Sequence, residues 1–242
     1  MMHRRAFHRA LQAALVVVFA SLASGVSARA QNASSAAQGA SSAPSDSGHS
    51  WVVRVAGAAG QAACPCGSPS LPVPHSRQLF ILGIGLRQAL HVDASGGFEV
   101  AYDPQILPII ISEGTADENL HVSLCRGTHY CAKKTSPSPW TTNATGFGIL
   151  PLGFTVLAPV VPRLRFQLRG AAGAIRLSDP VPLMEGHKFN FLAEASTSLE
   201  LRVSPTVAFT AGFVLNHISN GGTSSFNPGM NSRMVELGFV TR

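Results

Sequence analysis

Two residues separated by one other, His217 and Ser219, carry the most informative chemistry in this sequence. A serine hydroxyl becomes a useful nucleophile only when an adjacent base takes its proton, and side chains two apart in an extended strand point the same way. The pair stands in the run 213–232, FVLNHISNGGTSSFNPGMNS. Around it, Asn220-Gly221-Gly222 and Asn227-Pro228-Gly229 carry turn chemistry, and glycine also lets backbone amides approach an oxyanion. The His-x-Ser spacing alone equally suits a strand end whose His and Ser bond into a turn, so the elements that present the pair must decide.

Upstream of the pair, Val207, Phe209, Ala211, Phe213 and Leu215 share one parity and are all apolar, while Thr206, Thr210 and Asn216 take the other. A strand persisting through Ser219 therefore sets the imidazole and the hydroxyl at the end of a greasy row. That is a poor address for a soluble substrate and a good one for a lipid ester. The same period of two runs through 188–203, where Phe189, Phe191, Ala193, Leu199, Leu201 and Val203 alternate with Lys188, Asn190, Glu194, Ser196, Glu200 and Arg202. In 163–172, Leu164, Phe166 and Leu168 alternate with Arg163, Arg165, Gln167 and Arg169. Charges on the polar face of several strands suit a polar lumen with lipid outside. Such readings predict strands at 51–56, 78–90, 97–111, 146–157, 163–177, 188–203, 207–217 and 233–241, with 114–145 as a long loop. The fold class they predict is all-β: an eight-stranded antiparallel outer-membrane β-barrel, whose interior is filled by side chains.

The 242 residues suit one such domain with an export signal. Residues 1–30 open with His3, Arg4, Arg5 and Arg9, continue through an apolar stretch at 15–22 and end Ala28-Arg29-Ala30, the pattern of a signal peptide cut after Ala30. Residues 31–50 are Ala/Ser-rich and read as a flexible linker, leaving 51–242 as the barrel. The chain has 12% charged residues and positive mean hydropathy, yet holds no apolar run of the ~20 residues that a spanning helix needs. In lipid every backbone group must be satisfied internally, so an exported apolar chain without such helices points to a closed barrel.

The formal charge of +6 falls to about +2 once Arg4, Arg5, Arg9 and Arg29 leave with the signal, and we read no nucleic-acid partner from it. Cys64, Cys66, Cys125 and Cys131 are expected to form two disulfides in exposed loops, with three pairings open. A zinc site is disfavoured because Cys64-Pro-Cys66 has one intervening residue where such sites use two to four.

The runs 217–222 (HISNGG) and 227–232 (NPGMNS) resemble the terminal motif of the lipid A 3-O-deacylase (acyloxyacyl hydrolase) family. Upstream, 146–153 (GFGILPLG) and the stretch from Asp179-Pro180-Val181-Pro182 to Phe189-Asn190-Phe191 resemble family segments in the same order. The resemblance is specific from Gly146 to Arg242 and general before it. It implies an eight-stranded outer-membrane barrel that hydrolyses the 3-O-linked acyl chain of lipid A, the lipid anchor of lipopolysaccharide. It also implies roles: His217 as general base, Ser219 as nucleophile, and Asn227 near the oxyanion hole beside Asn220 and the Gly222 amide. No metal or organic cofactor is required.

The family's third catalytic member is a glutamate, whereas Asn231 stands at the matching position. An asparagine can still accept from the imidazole N–H and fix its tautomer, but brings no charge. The nearest acid, Glu236, has the opposite parity and is expected in the lumen, paired with Arg202 or Arg165. The asparagine also sustains an alternative, a catalytically inactive structural or adhesion barrel of the outer membrane. The sequence leaves a homodimer open.

Overall fold

Strands that alternate apolar and polar side chains must cover one face, and a single sheet can do so by curling onto itself. The computed structural model describes residues 49–59, 61–63, 78–94, 97–114, 123–126, 130–133, 143–181, 187–223 and 229–242. The expected signal peptide lies outside these residues, as does the linker apart from His49 and Ser50. The strands are β1 Ser50–Ala59, β2 Gln61–Ala63, β3 Gln78–Val92, β4 Glu99–Tyr102, β5 Gln105–Glu113, β6 Ser123–Arg126, β7 Tyr130–Lys133, β8 Asn143–Val161, β9 Leu164–Leu177, β10 Phe189–Arg202, β11 Val207–Ser219 and β12 Met230–Thr241.

Because β1 pairs with both β3 and β12, the sheet closes into a ring. Eight antiparallel staves form it, since β4 and β5 share one stave and β2 only extends the far side of β12. The expected strand 97–111 is therefore broken in two. The break falls at Asp103-Pro104, where the proline has no N–H for the ladder and the Asp103 carboxylate turns inward to Thr155 Oγ1 (3.0 Å) and Arg169 Nε (3.2 Å). Prolines 108, 151 and 159 likewise sit at register shifts, within β5 and β8. Two further corrections concern extent. The stretch 114–145, expected as a loop, contains the β6–β7 ribbon and the start of β8, while β11 reaches Ser219 and β12 begins at Met230. In the ribbon Cys125 lies directly opposite Cys131; Cys64 and Cys66 fall outside the described residues.

The outer wall is apolar, with Phe213 66% and Leu215 60% exposed and Leu152, Phe154 and Leu168 similarly bare. The inside is layered. Towards one end Leu79, Ile81, Ile110, Leu150, Ile175 and Leu192 pack with Val214, Ile218, Met230 and Met234. Towards the other, the lumen is charged and paired. Arg54 bonds Glu194, Gln105 (2.7 Å) and Glu236 (3.5 Å); Arg169 reaches Glu194 at 3.0 Å; Arg87 reaches Glu200 at 2.7 Å. Glu236 is thus inward, but its partner is Arg54 rather than the expected Arg202 or Arg165. The register explains this: Glu236 pairs with Ala56, so Arg54 is its neighbour on the adjacent stave, whereas Arg165 lies on β9 and is held by Glu99 and Glu200.

The two ends also differ in their connections. The strand ends Val92, Glu99, Val161, Leu164, Arg202 and Val207, joined by short stretches of sequence, share an end of the barrel with Ser50 and Thr241; the strand ends Gln78, Glu113, Asn143, Leu177, Phe189, Ser219 and Met230, joined by longer stretches, lie at the other. In outer-membrane barrels short turns face the periplasm and longer loops the exterior.

Candidate active site

At the long-connection end, β11 and β12 carry His217 and Asn231 as a directly opposed pair. Their side chains meet: His217 Nδ1 and Asn231 Oδ1 are 2.7 Å apart. An amide oxygen can only accept, so Nδ1 is the donor and the imidazole lone pair sits on Nε2. That is the tautomer a general base needs. Ser219 follows two residues on, on the same face, and both it and His217 are half-buried. Across the β10 ladder, Ala193 opposes His217 and Phe191 opposes Ser219. Among the described residues no hydrogen bond joins the Ser219 hydroxyl to His217.

Just beyond Ser219 the chain turns on Asn220, whose buried Oδ1 accepts from the Gly222 N–H at 2.9 Å. Gly221 and Gly222 have φ of 64° and 79°, conformations that favour glycine. At Gly221 a Cβ would also lie 2.7 Å from the Phe191 ring, so the turn rests on that aromatic edge. Of the residues singled out from sequence, the fold therefore brings together His217, Ser219 and Asn231, with Asn220 and Gly222 adjacent. In this conformation the Gly222 amide faces Asn220, and it could serve an oxyanion only after that bond opens. Asn227 lies outside the described residues. No cluster suited to a metal occurs among the described residues.

Sequence reading missed the site's surroundings. β2, too short to show alternation, sets Ala62 opposite Asn231. Below the pair, on the outer wall, small residues line up in register: Ala193 with Ala172, then Ala195 with Gly170. A Cβ built on Gly170 meets nothing within 4 Å, so this strip is open. Leu215 and Phe213 of β11 flank it on one side, Leu152 and Phe154 of β8 on the other. The parity of β9 and β10 puts these residues on the outer face, and the register sets them side by side. Above the strip Arg176 pairs with Phe189 at the wall's upper rim and is exposed.

The chain is similar to known proteins in sequence and in fold. Residues 139–240 match the family model described as lipid A 3-O-deacylase (PagL). A crystal structure of the outer-membrane enzyme PagL is similar at a TM-score of 0.51 and 13% identity, covering 77% of this chain and 97% of that one. Neisserial surface protein A is also similar, at a TM-score of 0.45 and 15% identity, over 80% of this chain and 98% of that one. No curated protein matches the chain in sequence. The segment that matches the lipid A 3-O-deacylase family model supplies β8 to β11 and nearly all of β12, and with them His217, Ser219 and Asn231.

Proposed function

We propose that this chain is an outer-membrane esterase that removes the 3-O-linked acyl chain of lipid A by a serine mechanism. The observation that carries the reading is the 2.7 Å contact from His217 Nδ1 to Asn231 Oδ1, on the lipid-facing wall, with Ser219 next on the same row. His217 Nε2 takes the Ser219 proton as Oγ attacks the acyl carbonyl, and the tetrahedral intermediate collapses as His217 returns the proton to the departing sugar oxygen. Water, deprotonated by the same nitrogen, then releases the fatty acid and restores the serine. Asn227 and an unlatched Gly222 amide are the proposed oxyanion donors.

The surroundings suit a lipid ester. The strip of Ala193, Ala195, Ala172 and Gly170 gives an acyl chain a shallow trough running from Ser219 towards the membrane midplane, walled by Leu215 and Phe213. Arg176, exposed at the upper rim, suits a phosphorylated sugar headgroup. On the topology argument this end faces outward, where lipopolysaccharide resides.

A second reading, an inactive structural or adhesion barrel, rests on Asn231 and on the missing Ser219–His217 hydrogen bond. Mass spectrometry of lipid A from cells that express the chain in the outer membrane separates the two. Loss of one hydroxyacyl mass with the intact chain and not with Ser219→Ala is expected. Unchanged lipid A in both, with the folded barrel confirmed in the membrane, favours the structural reading.

A further inference from the structure

The short-turn end holds a second cleft that takes no part in this chemistry. Glu99 of β4 stops level with Leu157, whereas the β8–β9 hairpin continues to Val161 and Leu164. Between this overhang and the β3–β4 turn lies a cavity of about 510 Å³. One wall is apolar: Val92, Phe98, Val160 and Val161 are each about half exposed. The other is cationic, with Arg163, Arg165 and Arg202 against the single carboxylate of Glu99.

That carboxylate is committed. Glu99 and Glu200 both hold Arg165, and no carboxylate lies within salt-bridge distance of Arg163 or Arg202 among the described residues. Arg202 also lines an adjoining recess with Arg242, beyond the last strand. Trp51, 57% exposed and paired with Thr241, lies at the same end, where aromatic girdles mark the headgroup level.

Uncompensated guanidiniums beside a greasy wall at the bilayer boundary call for a ligand that is anionic at one end and apolar at the other. We propose that this cleft binds the phosphate headgroup of an anionic phospholipid of the periplasmic leaflet. Arg163 and Arg202 take the phosphate, and the Val160–Val161 overhang covers the glycerol and the first methylenes. A free soluble anion gains nothing from the apolar wall, and a zwitterionic lipid brings its own cation towards the arginines. Lipid A occupies the opposite leaflet.

The test is native mass spectrometry of the full barrel, folded in detergent micelles with equimolar phosphatidylglycerol and phosphatidylcholine. Each cation near a membrane surface contributes roughly a fivefold preference for anionic lipid, so a retention ratio on the order of 30-fold is expected from the two arginines. Arg163→Gln with Arg202→Gln is expected to abolish the preference, with folding checked by heat-modifiable gel migration. Arg163→Gln alone, at an exposed turn, is expected to lose about fivefold and serves if the double variant does not fold. Equal retention of the two lipids by the unaltered chain, or an undiminished preference in the folded variants, overturns the proposal. Displacement of phosphatidylglycerol by inorganic phosphate alone would reassign the cleft to a soluble anion and overturn the lipid assignment.

Discussion

The contact from His217 Nδ1 to Asn231 Oδ1 supplies half of what a carboxylate would supply at that point. It orients the ring and fixes the proton on Nδ1, but in the proposed acylation would leave the imidazolium without a neutralising charge. A hydrogen bond to a charged group exceeds a neutral one by about 1–2 kcal/mol, so Asn231→Glu is expected to raise the deacylation rate roughly tenfold. The measurement is single-turnover release of hydroxyacyl chains from purified lipid A, and an unchanged rate would remove Asn231 from the catalytic set. At this scale the sequence was informative about type and face: the parity of β11 aligned His217 and Ser219 with the apolar row before any partner was known. It named the Gly222 amide as an oxyanion donor but was silent on the bond that engages it, because an Asx turn depends on a rotamer of Asn220 and leaves no periodic trace.

Among the elements, β10 and β11 were legible almost to the residue, since their polar and apolar faces alternate without interruption. β4 and β5 were not, because a buried Asp103 and Pro104 interrupt pairing inside a stretch that otherwise alternates. The trough below the proposed site escaped for another reason: it is made by small residues on neighbouring strands, and only the register brings Gly170, Ala172, Ala193 and Ala195 together. A substitution there tests its use. Gly170→Leu adds a side chain where a Cβ meets no atom within 4 Å, so the fold is expected to tolerate it. It is expected to slow hydrolysis of long-chain esters by at least tenfold, equivalent to ~1.4 kcal/mol, and to leave short esters unaffected. Equal rates on both chain lengths for the variant and the unaltered chain would place the acyl chain elsewhere.

For the whole molecule, the lumen decides stability. Glu194 sits between Arg54 and Arg169, all of them nearly free of solvent, and its carboxylate offsets both cations. Glu194→Ala strands two guanidiniums in a closed barrel. The expected loss is about 3 kcal/mol, the lower end for breaking a buried pair, because Glu236 still faces Arg54 and Asp103 still faces Arg169. Denaturant titration of the barrel in lipid vesicles, followed by Trp fluorescence, measures it; a shift under 1 kcal/mol would mean that water enters and solvates the network. The charge of the lumen was foreseeable from strand parity, but the partners were not, since pairing across a barrel depends on which staves close the ring.

The placement of His217 and Asn231 on the outer wall has a kinetic consequence. Substrates would reach them by lateral diffusion in two dimensions, so turnover should follow the mole fraction of ester in the leaflet rather than its bulk concentration. Inert lipid added to the same vesicles should then act as a diluent, lowering the rate at constant total substrate with no inhibitor present.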